Sequence, residues 1–405
     1  MSLRKTCVDL RNTIEDLKPG PSDLQVEIHL KKDTVDFNLR WPVTPKPEDP
    51  RWKRNRQGQL VRSCEDTLHL IYQKVAGNVW SGEKSCQITC ELPDPLVPAK
   101  TRVLKNSNFL DVFCNDLKII MKHQKPTVIF KNFILIADKD CEKKTKKLYE
   151  NLKNIFEARK FKIHDLRLHT FGDQEVFSIL PYLDAEKLEQ IVIQNAVDSY
   201  SRDPLERMDE LMSLEHWKKL KDLLILGFSN PLKIQNLFHF TTFGIPVSSI
   251  STRDIIAMKD NMLAGSALES GSIHFQTMED DWQILNDLFG GNRMAPHPEF
   301  PTGAVWEIPV PGEDSMVVIM FNDGYVSFRR QRVVVPMNVE NPGNPGNPGN
   351  GGRLFGGPVA NLENLENVEI APGMFVRPNA GLMFRRPAEA VENPQNPVNE
   401  NDEDL

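Results

Sequence analysis

Long apolar runs are missing from this chain. No stretch reaches the 18 or so apolar residues of a membrane-spanning helix, and the opening Met1-Ser2-Leu3-Arg4-Lys5 is too charged for a secretory leader. Cysteine is sparse: the six residues, at positions 7, 64, 86, 90, 114 and 141, lack the paired close spacings of a structural zinc site. No Asn-x-Ser/Thr sequon occurs, which fits a reducing compartment. These absences predict an intracellular, cytoplasmic protein with no membrane contact.

Catalytic signatures are absent as well. There is no G-x-x-x-x-G-K-[ST], H-E-x-x-H, G-x-S-x-G or C-x-x-C. Cys86 and Cys90 alternate with Ile88 onto one side of a predicted strand, the pattern of buried thiols rather than metal ligands. Cys141 sits among Asp138, Asp140 and Glu142, which disfavour a thiolate. The histidines at 164, 169, 216, 239 and 274 are scattered singly near apolar positions, where packing or capping is the commoner role. The expectation is a protein that is not an enzyme and carries no cofactor or metal.

Strong charge of one sign is also lacking outside the tail. From Pro336 onward four arginines stand against ten acidic residues, a net of −6 within a chain total of −7, so the rest is close to neutral. A near-neutral body is a poor electrostatic match to nucleic acid. The exception, Arg51-Trp52-Lys53-Arg54-Asn55-Arg56, leaves nuclear entry open, but after the proline-rich segment from Trp41 to Pro47 it reads better as a solvated basic loop.

What is present is an alternation of short apolar strands with amphipathic helices between Phe161 and Phe275. The strand patterns are Lys162 to Leu168, Lys187 to Gln194, Lys221 to Leu226, Thr241 to Val247 and Leu268 to Phe275. Their centres, Leu166, Ile191, Leu224, Phe243 and Ile273, lie roughly 25, 33, 19 and 30 residues apart, an irregular version of stacked strand-helix repeats. Asp203-Pro204 and Asn230-Pro231 each read as a cap followed by a first-turn proline. Ser251-Thr252-Arg253-Asp254 before Ile255, Ile256, Met258 and Met262 reads as a capped amphipathic helix. Parallel neighbours need crossover connections, so such units predict a curved sheet with helices on its outer side.

Flanking elements complete the outline. Leu24 to Leu30 and Thr34 to Leu39 flank a Lys31-Lys32-Asp33 turn, a hairpin pattern. Ser107 to Met121 and Cys141 to Arg159 read as helices, the second with Leu148, Leu152, Ile155 and Phe156 inward, and Val128 to Ala137 as an apolar strand that opens the array. Beyond Gly290-Gly291, Asn322-Asp323-Gly324 between alternating apolar runs marks a hairpin within a small β-meander. From Pro336 the Asn-Pro-Gly repeats and polar composition predict disorder, with Leu354-Phe355, Met374-Phe375-Val376 and Leu382-Met383-Phe384 as apolar islands.

Several blocks also carry a family resemblance. Gly172 to Leu183 (GDQEVFSILPYL), Leu188 to Ile193, Ser213 to Lys221 (SLEHWKKLK), Phe238-His239-Phe240 and Ile250 to Ile255 (ISTRDI) resemble, in order and spacing, the FTH domain of the nematode F-box family. The resemblance implies a substrate-recognition subunit of an SCF-type (cullin-RING) ubiquitin ligase, in which an F-box holds a Skp-type linker protein and through it a cullin. Here the chain departs from the family pattern, because Met1 falls in the middle of the F-box. Only its closing helix, Ser2 to Leu17, is recognisable, with Leu3, Cys7, Leu10, Ile14 and Leu17 on one side. Leu3, Cys7, Leu10 and Ile14 are the candidate linker-binding residues. Half an F-box lacks the apolar anchors of a tight interface, which favours the other reading, a helix packed on its own domain. Arg167, His169, Gln194 and Gly227 are the candidate contacts to a substrate protein.

The fold expectation is therefore α/β: an irregular leucine-rich-repeat-like strand-helix array with a C-terminal β-meander and a disordered tail. The expected divisions are 1–17 for the F-box remnant, 18–127 for an N-terminal α+β part, 128–289 for the FTH domain, 290–335 for the meander and 336–405 for the tail. Two functions follow: a ligase adaptor, or a binding module that kept the FTH scaffold and lost its ligase connection.

Overall fold

Strands buried on one side and turned away from the core on the other should alternate in exposure, as Leu24–Leu30 and Asp222–Leu226 do. The computed structural model describes residues 24–42, 53–54, 60–61, 65–76, 84–91, 98–197, 204–230, 232–280, 283–289, 303–322, 324–332, 369–371 and 374–375. The chain divides into two units, Met1–Val335 and Pro336–Leu405.

The first unit opens with β1 (Leu24–Leu30) and β2 (Thr34–Pro42), joined at the expected Lys31-Lys32-Asp33 turn. A small ladder of β3 (Lys53–Arg54) and β4 (Leu60–Val61) precedes β5 (Glu65–Ala76), β6 (Lys84–Glu91) and β7 (Lys100–Leu104). Then follow α1 (Phe109–His123), β8 (Ile129–Ala137), α2 (Glu142–Phe156), β9 (Lys162–Thr170), α3 (Asp173–Phe177), β10 (Gln190–Asn195), α4 (Met208–Ser213), α5 (Glu215–Lys219) and β11 (Asp222–Leu226). The unit closes with β12 (Thr242–Ile250), α6 (Thr252–Leu263), β13 (Ser270–Met278), α7 (Gln283–Phe289), β14 (Ala304–Pro309), β15 (Ser315–Asn322) and β16 (Tyr325–Arg332). In the second unit β17 (Glu369–Ala371) pairs antiparallel with β18 (Met374–Phe375).

Fourteen strands form one sheet, in the order β14-β15-β16-β13-β12-β11-β10-β9-β8-β1-β2-β5-β6-β7. From β1 through β8 to β13 every neighbour is parallel. Antiparallel strands extend both ends: β2, β5, β6 and β7 beyond β1, and the expected meander of β16, β15 and β14 beyond β13. The N-terminal strands thus continue the same sheet, and β1 lies beside β8 although β8 begins 99 residues after β1 ends, at Ile129 against Leu30.

Alternate strand residues enter one core with the helices. Leu166, Leu168, Ile191, Ile193, Leu223, Ile225, Phe243, Ile245 and Ile273 are all buried there, with Leu148, Leu152, Ile155 and Phe156 of α2 inward as expected. Burial of each such side chain is worth roughly 1.5–3 kcal/mol relative to exposure. Phe133, Phe156 and Phe161 pack ring on ring at 5.6 and 4.9 Å. Arg159 lies over Phe161, 4.6 Å from its centroid, and donates to the carbonyls of Met121 and Gln124, so it satisfies the open C-terminal end of α1. Trp217 meets Phe240 edge-on at 5.2 Å, and its carbonyl accepts from His239 Nε2 at 2.9 Å.

Caps and turns follow the sequence in part. Ser251 and Asp254 form the expected capping box at the start of α6, and β15 and β16 meet across Asn322 and Tyr325 as the Asn-Asp-Gly turn predicts. Two expected caps are corrected. Pro204 forms an isolated bridge to Ser229, and helix begins only at Met208. Asn230 caps nothing: its buried amide donates to the carbonyls of Phe228 and Pro246, at 3.3 and 3.2 Å. Asn195 does the same one strand earlier, donating to the Gly227 carbonyl at 3.1 Å. Where strands run into buried turns the ladder no longer supplies donors, and these two amides replace them. Among the described residues of the crossover between β11 and β12, the helical element is a 3-10 turn, Ile234–Leu237.

One glycine fixes how β12 and β13 pack. Phe243 stands opposite Gly271, and a Cβ on Gly271 would lie 2.3 Å from the Phe243 ring. Gly271→Ala should destabilise the fold by about 1–3 kcal/mol through overpacking, read as a lower urea midpoint with an unchanged slope. A second test concerns Glu175 in α3, 2% exposed with Oε1 lacking a hydrogen-bond partner. Burial pushes its carboxyl above the ordinary glutamate range; its own backbone N–H and Lys146 oppose this, and Glu142 and Asp173 reinforce it. The folded state therefore holds a proton that the unfolded state releases, so this group weakens the fold as pH rises above the unfolded glutamate value. Glu175→Gln should raise the melting temperature more at pH 8 than at pH 5.

Candidate functional site

The side of the parallel ladder turned away from the core can be read row by row. At the level of Asp165 in β9, the successive neighbours are Asn132, Gln190, Asp222, Thr242 and Ser270. Two residues further along the strands come Ile134, Arg167, Val192, Leu224, Gly244 and Ser272. A third row holds His169, Gln194 and Leu226, with Pro246 opposite His274. Most of these side chains are half-buried, Val192 and Asp165 are buried, and His274 is exposed.

Three of the four candidate substrate contacts lie on this side. Arg167 grips Asp165 two residues earlier, with Nη2 at 2.8 Å and Nε at 3.0 Å from Oδ2. His169 and Gln194 are direct ladder neighbours. Gly227 lies just past β11 with φ at 73°, a conformation glycine adopts without strain, and its carbonyl is taken by Asn195. Its place in the structure is a turn that ties two strand ends together. The candidate linker-binding residues Leu3, Cys7, Leu10 and Ile14 lie outside the described residues.

Around His169 the sheet collects further polar groups that sequence reasoning did not single out. His29 of β1 is 3.0 Å from Asp138 through Nε2, and the Tyr149 hydroxyl of α2 donates to the His169 carbonyl at 3.0 Å. Burial lowers the His169 pKa below the ordinary histidine value; the neighbouring His29 adds to this, while Asp138 acts against it. Alternation could have put Asp165 and Leu224 on this side, but joining them to Asp222 and Gly244 requires the strand register.

Among the described residues no group of three or more His, Cys, Asp or Glu is arranged to hold a metal ion. A groove of about 550 Å³ on the helical side is lined by Asp111, Cys114, Asn115, Lys118, Asn151, Asn154 and Ile155. Its Cys114 thiol is pushed up to about 12, first by burial and then by Asp111. Burial, reinforced by Asp116, likewise takes Cys86 to about 12, and burial with Asp140 takes Cys141 to about 11, so these thiols stay protonated near neutral pH.

Part of this face lies within a stretch that is similar to a known domain. The FTH domain model matches residues 146–290, which run from within α2 to just past α7. Over this stretch the chain is similar to the FTH domain. It is 24% identical over 183 residues to F-box A protein 224 of Caenorhabditis elegans, an alignment that takes in 43% of this chain and 44% of that protein. The chain thus spans less than half the length of that relative. No solved structure matches. The FTH match contains Asp165, Arg167, His169, Gln194, Asp222 and Gly227, whereas His29, Asp138 and the meander fall outside it. Among the described residues no helix is long and apolar enough to cross a membrane.

Because burial is the leading cause at His169, its ring should titrate below a free histidine in a two-dimensional NMR titration. His29→Gln should move that midpoint upward without restoring the free value. The sign for stability follows: a folded-state pKa below the unfolded one leaves the fold weaker as pH falls below the unfolded histidine value.

Proposed function

We propose that this chain is a protein-interaction scaffold that serves as the substrate-recognition subunit of an SCF-type ubiquitin ligase. What supports the reading is the place of the FTH match: it covers parallel strands β9 to β13, whose side chains away from the core offer aliphatic surface beside paired charges, in a chain similar to an F-box protein. Binding by such a surface depends on a few buried anchors with polar groups around them, not on a catalytic centre. The sheet side around Arg167, His169 and Gln194 holds the target. Leu3, Cys7, Leu10 and Ile14 contact the Skp-type linker, and the cullin follows through that linker.

The test is affinity purification of the intact chain from nematode cells. Linker and cullin should be recovered with it, and Leu10→Asp, which places a charge among the candidate linker-binding residues, should remove both. Recovery of a target without linker or cullin would overturn the ligase role and leave a binding module without a ligase connection.

A further inference from the structure

Two chemistries adjoin on the side of the sheet that faces away from the helices. Val192, Leu224, Leu226 and Pro246 make an aliphatic strip across β10, β11 and β12. Gly244 makes room for this strip: a Cβ there would lie 2.7 Å from Leu224 Cδ1, so Leu224 rests over the β12 backbone where any larger residue would lift it. At the level where β10 and β11 begin stand Asp222 and, within β9, the buried Asp165, on either side of Gln190. With one strand between them, their backbones are about 9–10 Å apart.

Each carboxylate has a partner on this face, and an arginine matches the charge of one of the two. Asp165 is held by Arg167, and Asp222 accepts the hydroxyl of Thr242. Burial outweighs the arginine, the charge of Asp222 adds to it, and the Asp165 carboxyl rises above the ordinary aspartate range. A pair of acids that repel each other at the border of an aliphatic strip is complementary to a cation carried on an aliphatic segment.

We infer that this face seats a segment of a target protein in which aliphatic side chains adjoin a lysine or arginine, the aliphatic groups on the Val192–Leu224–Leu226–Pro246 strip and the cation between Asp165 and Asp222. The inference rests on the reading that this side of the sheet is where the target binds. A long basic side chain suits the geometry, since its stem can lie on apolar surface while its head reaches the rim. Acidic segments are disfavoured by the same two carboxylates.

The experiment selects random twelve-residue peptides on a display library against the intact chain and then measures synthetic versions by fluorescence anisotropy. Selected peptides should share aliphatic residues next to Lys or Arg, and their affinity should fall with added salt. Asp222→Asn, which keeps the side-chain shape, should cost a lysine peptide roughly five- to tenfold in affinity and leave its Lys→Gln version unchanged. Gly244→Val should abolish binding of both peptides, with circular dichroism confirming that each variant is folded. Peptides that are acidic, peptides without a cation, the absence of any selected peptide, or equal losses for the lysine and glutamine versions on Asp222→Asn would each overturn the proposal. None of these readouts involves the linker protein, so the ligase role and this specificity fail independently.

Discussion

Seven strands from β1 to β13 run parallel in one register, and this constraint governs the rest of the structure. Parallel strands cannot be joined by tight turns, so each pair requires a crossover, and the crossovers supply the helices that bury one side of the sheet. The same register decides what the other side displays. A slip by one residue would move Leu223 and Ile225 out of the core and bring Asp222 and Leu224 into it. The core and the candidate interaction face are therefore two sides of a single solution.

Glycine and asparagine hold that solution where regular pairing gives out. Gly271 admits the Phe243 ring on the buried side, and Gly244 admits Leu224 on the other. Asn195 donates to the Gly227 carbonyl in the turn after β11 and Asn230 to the Pro246 carbonyl in β12, so the strand ends stay in register beyond the last ladder bond. Pro246 fits within a strand because the pairing of β12 with β11 stops at Leu224 and Gly244, and its carbonyl serves Asn230. Polar side chains thus fix the rim of an otherwise apolar core, where an unmet backbone group would cost about 1–3 kcal/mol.

The parts legible in the sequence were those set by neighbours in the chain. Strands β9 to β13 announced themselves by short apolar runs, α6 by Ser251 and Asp254, and the β15–β16 hairpin by Asn-Asp-Gly. The candidate residues Arg167, His169 and Gln194 came together because i, i+2 spacing and strand pairing place them on one side. What stayed hidden depends on distant segments. Nothing near Leu24 says that it will pair with Phe130, and nothing near Asp222 says that it will share a rim with Asp165. Asn230-Pro231 misled because a helix cap and a bridging turn asparagine use the same residue and the same local chemistry.

The extent of the family match has its own physical meaning. Residues 146–290 contain β9 to β13 without the strands that border them. Cut at those limits, the ladder would expose two strand edges, the β9 edge that pairs with β8 and the β13 edge that pairs with β16. Unpaired edges of this length invite pairing with other chains, and proteins cover them. In this chain β8 and β1 cover one edge and the antiparallel meander covers the other. The N-terminal strands also contribute to the face itself, since His29 of β1 and Asp138 after β8 adjust the protonation of His169 inside the match. The unit that presents the face is therefore the whole fourteen-stranded sheet, and a segment excised at the family limits would lose both its edge protection and part of its electrostatics.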